Sequence, residues 1–170
     1  FLEKKLGNYE LIIPLAALVG APLCNQRKED AESLNLKHNL KLFKMLKSDQ
    51  KIIMPTTKSA YGHGKKSEVF DENSKLNPIS LYAQHKVNVE KELLNHNNFI
   101  SLRLATVFGM SPRMRLDLLV NNFVYKALND RYLVIFEGSF KRNYIHVRDV
   151  ARAFMHCINN FKQMKNQIYN

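Results

Sequence analysis

The chain has 170 residues and only two cysteines, Cys24 and Cys157. That is too few for a disulfide framework, and no Cys/His cluster shows zinc-ligand spacing. The expectation is a reduced, cytoplasmic protein without a metal. No apolar run reaches the length of a membrane span. The longest, Leu11 to Cys24, is broken by Pro14, Gly20 and Pro22. The opening FLEKKLGNYE lacks the layout of a signal peptide. There is no internal repeat, no low-complexity linker and no block of like charge.

Hydrophobic residues make up 45% and charged residues 24%, as in a soluble globular domain with room for a core. The net charge is +11. A charge of that size admits a nucleic-acid or anionic partner. The lysines and arginines, however, are spread along the chain in KHNLKLFKMLK, KSDQK and FKQMK, and no basic stripe is interleaved with aromatics. A lysine-rich surface is the simpler reading, and nucleic acid is not the expected partner.

Short apolar runs alternate with helical patterns. ELIIPLAALVG opens on a run, Leu11 to Ile13, that suits a strand buried on both faces. In EDAESLNLKHNLKLFKMLKSD, Leu36, Leu40, Phe43 and Leu46 recur at helical spacing. KIIMPTT reads as a buried strand stopped by Pro55, and SAYGHGKKSEVFDENSKLNP as a polar loop. PISLYAQHKVNVEKELLNHN reads as a helix, with Pro78 ahead of it and Ser80 near its start. FISLRLATVFG is a strand running into a loop. MRLDLLVNNFVYKAL predicts a helix, YLVIF and NYIHV strands, RDVARAFMHCINNF a helix and QIYN a last strand. This order predicts an α/β fold built on a parallel sheet with helices on both faces.

Ligands in such sheets bind at the carboxyl ends of the strands. Thr56 and Thr57 follow KIIMP, Thr106 follows ISLRLA, and Tyr82 and Lys86 lie on the helix between those strands. Residues four apart share a helix face. A free phenol titrates near pH 10 and is a poor base at neutral pH. A neighbouring ammonium favours the phenolate. Tyr82 could then exchange an alcohol proton while hydride moves to or from a nicotinamide. On the spacing alone, an ordinary, partly exposed pair is the better reading.

Four motifs in order are more specific: TTKSAYG, PISLYAQHK, RLATVFG and RNYIHVRDVARAF. Together they resemble the extended short-chain dehydrogenase/reductase family, the nucleotide-sugar epimerases and dehydratases, from LAALVG to QIYN. The resemblance implies a Rossmann-like doubly wound sheet, incomplete at its N-terminus. Residues 1–107 and 143–170 would form part of an NAD-binding domain, and 108–142 part of a substrate-binding region. It implies Tyr82 as catalytic acid/base, Lys86 as the lysine that binds the nicotinamide ribose and activates the tyrosine, and Thr57 as the hydroxyl on the reacting sugar oxygen. It places Ala16, Ala17, Asn35, Thr56, Ala105 and Val107 near the cofactor. Thr106 and Arg142 would meet the substrate, the arginine through its diphosphate. A nucleotide-diphosphate sugar and a homodimer are the implied partners.

For other residues, local roles are the simpler expectation. Tyr61 and Gly62 shape a turn or touch substrate. His146 and Asp149 fix a strand-to-helix junction, with Asp149 as a cap. His63 and His85 face solvent, Ser80 serves the helix start, and Cys24 is buried filler.

The departures from the family pattern are informative. No G-x-x-G-x-x-G turn occurs, nor an acidic residue to hold an adenosine ribose. The expectation is a piece of a longer chain that binds NAD poorly and is inactive by itself. Pro14 stands where the family usually has histidine, and His38-Asn39 where it often has Gly-Thr. The dehydratases carry Asp-Glu after the catalytic threonine, and the related decarboxylases keep an acid there. Here Lys58 and Ser59 stand instead, and neither can act as a carboxyl group. Epimerisation through NAD is the leading expectation. A keto-sugar reductase using NADPH and a non-catalytic cofactor- or RNA-binding relative are the alternatives.

Overall fold

The structure, a computed structural model, describes residues 5–64, 69–136 and 138–170. Part of the expected polar loop, residues 65–68, lies outside them. The described chain forms two compact units, 1–104 with 157–170, and 105–156.

The first unit is built on a four-stranded sheet in the order β1-β2-β3-β6. The strands are β1 Leu11–Ile12, β2 Lys51–Thr57, β3 Phe99–Leu104 and β6 Gln167–Tyr169, and every pair is parallel. Helices α1 (Ala21–Gln26), α2 (Lys28–Glu32) and α3 (His38–Met45) lie between β1 and β2, with a π-helical turn, Ser33–Lys37, joining the last two. Helix α4 (Leu81–Leu93) lies between β2 and β3. This is the expected Rossmann-like α/β arrangement. Ile52, Ile53, Met54 and Ile100 are fully buried, because strands of a parallel sheet covered by helices carry apolar residues on both faces. Phe43 of α3 and Val89 and Leu93 of α4 complete a core with Ile52, Met54 and Phe99, and Leu36, Leu40 and Leu46 pack against it. The helical spacing read in the sequence is therefore the core face.

The details differ from expectation in four places here. β1 is half-buried rather than buried on both faces, because only β2 pairs with it among the described residues. β2 runs through Pro55 to Thr57. Beyond Ile52, β1 no longer pairs with β2, so the missing N–H of Pro55 falls where the described residues offer no second ladder. The helical stretch expected from Glu29 is broken by the π turn and preceded by α1, which the sequence did not suggest. Pro22 sits in its first turn, where its missing donor has no helical partner to lose.

The second unit holds a two-stranded parallel sheet, β4 Thr106–Phe108 with β5 Tyr144–His146. It also contains α5 (Leu119–Asn129) and all but the last turn of α6 (Val147–Asn159). VFG therefore lies partly in a strand, and α5 begins five residues later than Met114. YLVIF is irregular and exposed, not a strand. Its apolar residues find no ladder partner among the described residues. The short helix α7 (Phe161–Met164) precedes β6.

Candidate active site

Helix α4 begins where the sequence put it. The Ser80 hydroxyl accepts the Ala83 N–H at 3.2 Å, capping one of the donors left open at a helix start. Tyr82 is half-buried in the first turn. One turn on, Lys86 is only 4% exposed, and its Nζ donates to the Pro55 carbonyl at 3.0 Å. Burial pulls its pKa down from 10.5 to about 8. A lysine held there costs stability, and such perturbed buried groups concentrate at functional sites.

Thr57 ends β2 as the cap of a 3-10 turn, Lys58–Tyr61. Its hydroxyl oxygen accepts the Ser59 N–H at 3.1 Å. That bond uses a lone pair and leaves the hydroxyl proton for an outside acceptor. Thr56 differs. Its hydroxyl is buried and donates to Glu90 Oε2 at 3.0 Å, with Ser101 Oγ at 3.2 Å. The Thr56 side chain is thus committed inward.

Asn35 is fully buried in the π turn. Its Oδ1 accepts the Leu18 N–H at 2.8 Å, and its Nδ2 donates to the Leu18 carbonyl at 2.8 Å. Both backbone groups of one loop residue are thereby fixed by one amide. This sets the loop that carries Ala16, exposed, and Ala17, half-buried. Cys24 is buried beneath, its Sγ directed to the Leu18 carbonyl, and burial raises its pKa. It is packing, as expected.

The second unit carries the remaining expected residues. Thr106 and Val107 lie on β4 beside Tyr144 and Ile145, and the Thr106 N–H donates to the Asn143 carbonyl at 3.2 Å. Ala105 is half-buried and Arg142 exposed. His146 holds its junction by accepting the Arg148 N–H at Nδ1, 3.2 Å. Asp149 lies in the first turn of α6 and pairs with Arg152 at 2.9 Å.

One expectation about the neighbours is overturned. His85 does not face solvent: it is 5% exposed. Helix α4 exposes only the stripe of Gln84, Asn88, Lys91 and Glu92, and His85 falls on the buried side of its edge. Burial lowers the pKa of His85, against a smaller pull from Glu32, and its Nδ1 has no hydrogen-bond partner. His63 is exposed.

Sequence reasoning missed Glu90 and Arg103. Both are more than nine-tenths buried and form a bidentate pair, Nη2 to Oε1 at 2.7 Å and Nε to Oε2 at 3.2 Å. Burial would lower the Arg103 pKa, but bonding to Glu90 and Tyr61 outweighs it and the value is raised. A signal existed. A glutamate between Val89 and Leu93 and an arginine inside ISLRL are two charges on otherwise buried patterns, and buried charges come in pairs.

The chain thus has a parallel α/β sheet with a threonine at a strand's carboxyl end, where such sheets bind ligands, and a Tyr-x-x-x-Lys helix on the next crossover. Comparison with known proteins gives the family. Residues 2–170 match the NAD dependent epimerase/dehydratase family, and the chain belongs to that family. It is 29% identical over 112 residues to the uncharacterized UDP-glucose epimerase YtcB of Bacillus subtilis, covering 62% of this chain and 34% of that one. The UDP-glucuronic acid 4-epimerase of Bacillus cereus, solved with UDP-glucuronic acid and NAD, is 25% identical with a TM-score of 0.82. That match covers 98% of this chain and 55% of the other. The UDP-N-acetylglucosamine 4-epimerase of Methanobrevibacter ruminantium M1, solved with UDP-N-acetylmuramic acid, is 27% identical with a TM-score of 0.76, covering 91% and 53%. The chain therefore spans about half the length of these solved relatives.

Proposed function

We propose that the protein is an NAD-dependent 4-epimerase of a nucleotide-diphosphate sugar. The observation that carries this is the buried Lys86, placed one turn from Tyr82 and tied to the strand that ends in Thr57. The names of the relatives, a UDP-glucose epimerase and two UDP-sugar 4-epimerases, support the reaction class.

The residues present fit the nicotinamide half of the cofactor. Lys86 would hold the ribose hydroxyls, which accept from an ammonium, and the Asn35-fixed loop would lay Ala16 and Ala17 along the dinucleotide without bulk. The sequence contains no glycine-rich turn to take the pyrophosphate. When bound, NAD supplies the acceptor and donor of hydride. Tyr82 takes the proton of the sugar hydroxyl and later returns it to the same oxygen, once hydride has been restored to the opposite face of the keto carbon. The Lys86 ammonium favours the phenolate in that exchange. Thr57 donates to the sugar oxygen, its own oxygen oriented by the Ser59 N–H. Arg142 would bind the diphosphate with its fork of donors. Residues 108–142 would serve the substrate, and the rest the cofactor. Lys58 and Ser59 supply no carboxyl group, so the site is equipped for epimerisation rather than dehydration.

Kinetics of Tyr82→Phe in the full-length protein test the assignment. Turnover should fall at least about 1,000-fold, within the reach of acid/base catalysis combined with lost orientation, while NAD affinity changes by less than about threefold. A variant with wild-type turnover would remove Tyr82 from the mechanism.

A further inference from the structure

We propose that Glu90 and Arg103 are positioning residues that set Tyr82, Lys86 and Thr57 against one another, acting through Thr56. The proposal rests on the epimerase reading above. Tyr82, Lys86 and Glu90 stand four residues apart on α4 and share one face. Lys86 is bonded to the Pro55 carbonyl and Glu90 to the Thr56 hydroxyl. Two successive turns of the helix are thus tied to the two residues of β2 that precede Thr57.

Arg103 completes the tie from the next strand. It lies opposite Thr56 in the β2–β3 register. Three of its contacts go to the Glu90 carboxylate, at 2.7, 3.1 and 3.2 Å. Ser101 Oγ donates to the same carboxylate at 2.7 Å. Arg103 Nη1 then reaches the Tyr61 hydroxyl at 2.6 Å and the Glu72 carbonyl at 3.1 Å. Those two residues belong to the connection between Thr57 and Tyr82. The Tyr61 hydroxyl donates onward to Asn170 Oδ1 at 2.8 Å, and the Asn170 N–H to Glu72 Oε1 at 2.7 Å. One buried pair therefore touches the strand end, the helix and the segment joining them.

Stability alone does not require charges here, since buried ion pairs can often be exchanged for apolar residues of similar volume. What the carboxylate and guanidinium add is direction. Each contact is a hydrogen bond of fixed geometry, and small displacements of catalytic groups carry large rate costs.

The test, made in the full-length protein, compares the wild type with the double variant Glu90→Met/Arg103→Leu, and with Thr56→Val and Thr56→Ser. Measurements are thermal melting, NAD affinity, and kcat and KM for a nucleotide sugar. The double variant should melt cooperatively near the wild type and bind NAD within about threefold. Its kcat should fall between about tenfold and hundredfold with KM little changed. Thr56→Val leaves the ion pair intact and cuts its link to β2, together with the Thr56 hydroxyl's bonds to Ser101 Oγ and the Leu102 carbonyl. It should lower kcat several-fold, and Thr56→Ser, which keeps the hydroxyl, should restore it. A merely structural pair would move melting and leave kcat alone. A folded double variant with wild-type kcat overturns the proposal. If the double variant does not fold, an unchanged kcat in Thr56→Val overturns it instead. An inactive wild type would overturn the epimerase reading and this proposal together, whereas an active wild type with fully active variants overturns only this one.

Discussion

Replacing Lys86 by methionine should make the protein more stable and less functional at the same time. The ammonium is 4% exposed, and its pKa falls from 10.5 to about 8 through burial. That drop corresponds to about 3 kcal/mol, at about 1.4 kcal/mol per pH unit. The sign follows from proton counts. Below pH 8 both folded and unfolded chains hold the proton, and the fold carries the whole cost. Between about 8 and 10.5 the folded chain has released its proton and the unfolded chain has not, so stability rises with pH. Methionine removes the charge and fills similar space. It also leaves the Pro55 carbonyl without its donor, a loss of about 1 kcal/mol. The net gain at pH 7 is about 2 kcal/mol, or about 4–8 °C in Tm for a chain of this size. Urea denaturation of both proteins across pH 7 to 10.5 is the assay. The variant should lead at pH 7, and the wild type should close the gap as pH rises. A variant less stable at pH 7, or a gap independent of pH, would refute the reasoning. NAD affinity should fall in the same variant, and unchanged affinity would remove the ribose role of Lys86.

Two further perturbations test the surroundings. Gly62 has φ +74°, and a Cβ there would lie 2.3 Å from the Asn77 carbonyl oxygen. Gly62→Ala should therefore cost about 2 kcal/mol or more, read as a lower urea midpoint, and an unchanged midpoint would mean that the turn is not fixed. His85 is buried with its pKa lowered from 6.5. Below pH 6.5 the unfolded chain takes up a proton that the fold resists, so wild-type stability should fall on that side. His85→Leu should flatten this acid slope, and a wild-type-to-variant difference that stays constant from pH 7 to 5 would sink the assignment.

The alternating elements and helix α4 were legible in the sequence because each rests on local pattern. Ile52 to Met54, the Leu36–Leu40–Phe43 spacing and the Ser80 cap all fall within a few residues of one another. What was not legible depends on partners far along the chain. Whether His85 is exposed depends on how completely other elements surround α4. The inward role of the Thr56 hydroxyl depends on Glu90, 34 residues away. The Glu90–Arg103 pair was readable only by asking where two charges on buried patterns could go. YLVIF has strand composition and no strand to pair with among the described residues, so its pattern misled. Asn35 was reached through family resemblance, since no local pattern announces that an amide will hold both backbone groups of Leu18.

The central claim is that hydride leaves and returns to one sugar carbon while Tyr82 handles the proton. The most direct measurement supplies the full-length protein with NAD and a UDP-sugar deuterated at carbon 4, and follows the product by NMR. The account predicts the C4 epimer with deuterium still at carbon 4 and none in the solvent. Deuterium lost to water, or no epimer from any nucleotide sugar tried, would contradict it.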